Sequence, residues 1–170
     1  RPRRATATPA AARCRRAKVA EAMLAAVEAW PLAAAVRTSV WAYPALEVVH
    51  IAGLAALFGA LLLLDLRVLG AARALPVDAL ARLAVPVALA GFAVAAATGL
   101  AMLAARATEI ATQPPFLVKM GLILMAGANA LWFHRRFSTR APDALARVQV
   151  VASLLLWFAK IAAGRCIAYS

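Results

Sequence analysis

Glu47 and His50 are the residues from which any chemistry in this chain would start. They stand one helical turn apart, so a helix presents them on one face of the otherwise apolar stretch PALEVVHIAGLAALFGALLLLDLR, Pro44 to Arg67. An ionisable group inside such a stretch is costly facing lipid, and it is a functional-site candidate for that reason. Thr98, Lys119, Lys160 and Arg165 are further polar groups in apolar surroundings, expected in the same half of the bilayer, and they would join Glu47 and His50 in one polar cluster. Met102, Met120 and Cys166 carry sulfur that could share a haem or a copper ion with His50.

The elements that must position these groups are membrane helices. The chain has 170 residues, 65% of them hydrophobic, and a mean hydropathy of +0.82. That is far above an ordinary soluble domain. The net charge of +12 comes from the N-terminal tail and from short loops between apolar runs, not from one soluble face. Nucleic acid is therefore not an expected partner. Two cysteines, Cys14 and Cys166, form neither a CxxC pair nor a disulfide framework.

The expected fold is all-α, a four-helix up-and-down transmembrane bundle with spans at about 44–66, 83–105, 116–133 and 148–169. Residues 1–18 form a basic tail with seven positive charges and no acid. Such a tail is ordered only if a partner chain or a lipid surface holds it. Residues 19–40 read as an interfacial amphipathic helix, with Met23, Ala26, Val27 and Trp30 on one face and Glu21, Ala25 and Glu28 on another. Pro31 and two glutamates make residues 19–38 a poor fifth crossing, a choice left open here. Trp41 and Tyr43 mark an aromatic belt before the first span. Gly91, Ala95 and Gly99 recur at four-residue steps, a ridge that lets another helix approach, and Gly121, Gly127 and Ala130 are small in the third span.

Loop charges predict the orientation. Loop 67–82 holds Arg67, Arg73 and Arg82, and loop 134–147 holds Arg135, Arg136, Arg140 and Arg147. By the positive-inside rule these loops are cytoplasmic and the Glu47/His50 end is periplasmic. The basic tail lies too far from the first span to count in that rule.

Depth then limits the chemistry. His134 lies past the inner end of the third span, and at about 1.5 Å per residue it is roughly 24 Å from His50 along the membrane normal. One haem b cannot take both as ligands. Met102 and Met120 fall in the outer half with His50 and are the candidate second haem ligands. The same two methionines with Cys166 would suit Cu(I). The plainer alternative is that Glu47 pairs with Lys119 or Arg165 to hold the bundle, while the outermost cations snorkel. At the inner end Asp65 and Arg67 are expected in structural ion pairs, with Arg82 or Arg147 as the partner of Asp65. No HExxH, GxSxG or phosphate-loop pattern occurs, so no catalytic residue is named.

Trp41-x-Tyr43-Pro44, Glu47-x-x-His50, Gly53, Phe58-Gly59, Asp65-Leu66-Arg67 and Leu69-Gly70 together resemble an uncharacterised family of small four-span bacterial inner-membrane proteins. Further matching positions are Pro86, Gly91-Phe92, Thr98-Gly99, Pro115-Phe116, Lys119, Gly164-Arg165 and Tyr169. The resemblance runs from about Met23 to Ser170, leaves the tail outside, and implies no activity. Its likeness to copper-resistance and b561-type membrane bundles is one of architecture only. The role expected is a non-catalytic accessory subunit of a larger membrane assembly, contacting lipids and other membrane subunits. The alternative is a redox or metal-handling protein built on His50.

Overall fold

Uninterrupted runs of Leu, Ala and Val leave the backbone no hydrogen-bond partner in lipid except itself, and the chain answers with long helices. The computed structural model describes residues 9–137 and 144–167, and every regular element among them is helical. In chain order these are α1 (Pro9–Glu28), α2 (Pro31–Thr38), α3 (Ala42–Leu69), α4 (Val77–Ala105), α5 (Ala107–Ile110), α6 (Pro114–Phe137) and α7 (Ala144–Ile167). With 28 and 29 residues, α3 and α4 are each about 42 Å long, more than the hydrocarbon thickness of a bilayer. These two helices and the Pro114–Phe133 part of α6 are long and apolar enough to cross a membrane. Helix α7 has 24 residues, and its Ala144–Ala159 part is apolar.

Residues 19–38 do not form the single helix expected of them. Pro31 has no N–H to give and starts a new helix, so α1 ends at Glu28 and α2 leaves it at 72°. Nor does the basic stretch end where α1 starts, because the helix already begins at Pro9. On α1 Val19 and Met23 are 53% and 66% exposed, and Trp30 in the turn after it 67%, whereas Leu24 and Glu28 are half-buried.

Two caps set the ends of α3. The Ser39 hydroxyl accepts the free N–H of Ala42 at 3.2 Å, and Gly70, at φ 108°, turns the chain out in the left-handed region. Arg67 clips the following turn, its Nε donating to the Leu75 carbonyl at 2.6 Å and a terminal nitrogen to the Arg73 carbonyl at 3.3 Å.

The closest packing is between α3 and α4. A Cβ on Gly53 would lie 2.9 Å from the Gly91 carbonyl oxygen, and one on Gly91 only 2.6 Å from the Gly53 oxygen. Backbone meets backbone there, as the small-residue ridge predicts. Below the crossing Leu57, Ala60, Ala84 and Ala88 form a buried cluster with Trp157 packed on it. Phe58 also meets Trp157 and Phe158, with ring centroids 6.1 and 5.9 Å apart, so α7 lies on α3. Val68, Ala146 and Val150 form a second cluster near the C-terminal end of α3, joined by Phe133 of α6. The main interfaces run α4 to α3, α3 to α7 and α7 to α6, an open row in which α6 packs along α7 rather than along α3 or α4.

Candidate functional site

Among the described residues, His50 and Thr98 are the members of the expected cluster that the structure brings into contact. The Thr98 hydroxyl donates to the Val94 carbonyl at 2.7 Å, the usual bond of a threonine back to its own helix. Its proton is thereby committed, and its lone pairs face His50 Nδ1 at 3.0 Å. The bond is satisfied when His50 carries its proton on Nδ1 and donates, which leaves Nε2 as the acceptor or ligating nitrogen. Gly99 makes this possible, since a Cβ there would press to 3.1 Å from the imidazole Cε1.

The other expected members are spread out. Glu47 is exposed on α3 and Lys119 is half-buried on α6, and no ion pair joins them. Met102 is half-buried one turn beyond Thr98, and Met120 is exposed on α6, which does not pack along α3. Lys160, Arg165 and Cys166 belong to α7 by backbone, but their side chains lie outside the described residues, as does that of His134. No group of three or more His, Cys, Asp or Glu able to share a metal ion occurs among the described residues.

At the C-terminal end of α3 the expected ion pairs are replaced by a different arrangement. Arg82 and Arg147 are exposed, and neither forms an ion pair with Asp65. Asp65 is instead buried between α3 and α7, where the Ser153 hydroxyl hydrogen-bonds its carboxyl. The pairs were expected from sequence position. The turn of α3 carries Asp65 into the α7 seam, while Arg67 is taken up by the loop carbonyls. Gln149, one turn before Ser153, is also buried, and its backbone carbonyl accepts from Asn129 Nδ2 at 3.2 Å. Sequence reasoning missed Gln149 and Asn129. The available signal was the four-residue spacing of Gln149 and Ser153, which puts two polar groups on one face of an apolar helix.

A third polar centre lies where α1, α2, α4 and α5 meet. Glu28 Oε1 accepts from the Thr108 backbone N–H at 2.8 Å and from its hydroxyl at 2.7 Å. A terminal nitrogen of Arg37 reaches the carbonyls of Glu28 and Ala105 at 3.3 and 3.4 Å. Arg106 and Glu109 pair beside them at 2.9 Å. These groups and Tyr43 line an open cleft of about 590 Å³. The backbone and hydroxyl hydrogen bonds from Thr108, helped by Arg37, hold the Glu28 carboxyl below its ordinary value of 4.5. A lowered value stabilises the docked form above the unfolded pKa, and that contribution is lost as pH falls through the folded one. Exchange of the Thr108 amide is therefore expected to be slow at neutral pH and to accelerate below about pH 4.5, beyond its intrinsic pH dependence. In Glu28→Gln, which keeps an acceptor for Thr108 but does not titrate, the added acceleration disappears.

Searches against family models, curated proteins and solved structures find no match to this chain.

Proposed function

We propose that the chain is an integral protein of a bacterial inner membrane and serves as a non-catalytic accessory subunit of a larger membrane assembly. The observation that carries this reading is the open row of helices. Only 6% of the apolar window of α6 is buried within the chain. Gly121 and Gly127 on that helix have nothing within 4 Å of where a Cβ would stand. Exposed apolar side chains alone need only lipid, but glycines earn their place in a membrane helix where another backbone comes close. At Gly53 and Gly91 that place is filled from within; at Gly121 and Gly127 a helix of another subunit fills it. In this reading α7 is the fourth crossing of an up-and-down bundle, and the Arg-rich loops are cytoplasmic. Helix α1 lies on the outer surface, with its Met23 and the Trp30 that follows it in the lipid and its basic start on the headgroups or the partner. The resemblance to uncharacterised four-span inner-membrane proteins supports the same architecture.

The second reading, a haem b or copper protein, draws on the bond between His50 and Thr98. A metal-bound histidine commonly donates its other ring N–H to an oxygen, and Thr98 supplies that oxygen. An absorption spectrum and metal analysis of the chain purified from its own membranes separate the two. The accessory reading expects a colourless protein free of haem iron and copper. A Soret band that disappears in His50→Ala would overturn it.

A further inference from the structure

Where α7 packs on α3 and α6, three buried polar atoms are used by neither reading. Asp65 is 9% exposed, and its Oδ2 has no hydrogen-bond partner among the described residues. Gln149 is 4% exposed, and neither its Oε1 nor its Nε2 has one. Ser153 follows Gln149 by one turn of α7 and donates to the Asp65 carboxyl, which leaves its own lone pairs available. Burying a carboxylate without a counter-charge is among the costliest arrangements in a protein. Unmet buried polar groups of this kind are ordinarily met by an ordered water or an ion.

The donor set indicates which. Asp65 carboxylate, Gln149 Oε1 and Ser153 Oγ are all hard oxygens, with no imidazole or sulfur among them, which suits a hard cation rather than a transition metal. A single carboxylate balances a single positive charge, so in a low-dielectric seam the fitting ion is monovalent. The route in is short, because Asp65 lies about 6 Å along the axis from the end of α3. We propose that Asp65, Gln149 and Ser153 hold one monovalent cation of the sodium class between α3 and α7.

Thermal unfolding of the purified full chain tests this, with sodium chloride compared with choline chloride at equal ionic strength. At a hundredfold excess over its Kd, sodium is expected to raise Tm by about 5 °C relative to choline. Asp65→Asn keeps the shape of the side chain and an acceptor for Ser153 but removes the charge, and it abolishes the rise. Gln149→Leu removes one neutral ligand and moves the half-maximal sodium concentration up by about tenfold. The absence of a rise in the unaltered chain overturns the proposal, as does an equal rise in Asp65→Asn. If Asp65→Asn fails to fold, Gln149→Leu decides, and an unchanged half-maximal concentration overturns it.

Discussion

Gly91→Leu is expected to destabilise the protein by about 3 kcal/mol, the upper part of the range for overpacking, and to lower Tm by roughly 10 °C. The new side chain would enter a space where even a Cβ lies 2.6 Å from the Gly53 oxygen and 2.7 Å from the Leu57 nitrogen. Both neighbours are backbone within a hydrogen-bonded helix, so neither can swing aside as a side chain would. The strain must be relieved by separating α3 from α4. That movement would also draw Thr98 and Gly99 away from His50, since they lie two turns along the same face of α4. Gly59→Leu is the matched control. It introduces the same side chain into α3 at a position with nothing within 4 Å of the new Cβ, and it is expected to leave Tm within about 2 °C. Detergent-solubilised protein followed by circular dichroism through thermal unfolding gives both values. Equal destabilisation by the two substitutions would mean that the α3–α4 crossing is not the close contact described.

The contrast also shows what the sequence could and could not reveal. Apolar length alone marked α3, α4 and α6, because lipid forces any such run to satisfy its own backbone. The ridge of Gly91, Ala95 and Gly99 was legible as a place of close approach. Its partner was not, since spacing along one helix says nothing about which helix answers it. The structure supplies Gly53 as the answer and shows Gly99 making room for the His50 ring. Sequence depth expects Thr98 level with His50, and the two side chains meet at 3.0 Å, but depth fixes one coordinate of three. Lys119 is expected at that level too, but it lies on α6, which packs along α7 rather than α3.

Asp65 illustrates a different limit. Its neighbour Arg67 and the arginines of the nearby loops suggested ion pairs, because opposite charges near a membrane surface usually find one another. The helical turn between Asp65 and Arg67 sends the two side chains in different directions, one into the seam with Ser153 and the other to the loop carbonyls. Glu28 shows the converse. It was assigned to the polar face of an amphipathic helix, where solvent would be its partner, yet that face docks on Thr108 while the apolar face is left outside.

The second large effect concerns the face that α6 leaves open. If a helix of another subunit lies against Gly121 and Gly127, a leucine at either position pushes it outward by the width of a side chain, and the close backbone contact is lost. The folded chain itself has open space at both positions, so its own stability is expected to change little. Loss of the partner and retention of the fold therefore separate cleanly. The most direct measurement is the amount of co-purified partner recovered with Gly121→Leu and Gly127→Leu from native membranes, relative to the unaltered chain at equal yield. An accessory subunit docked through α6 predicts a loss of about tenfold in each variant with an unchanged Tm. Full recovery of the same partner with both variants would contradict it.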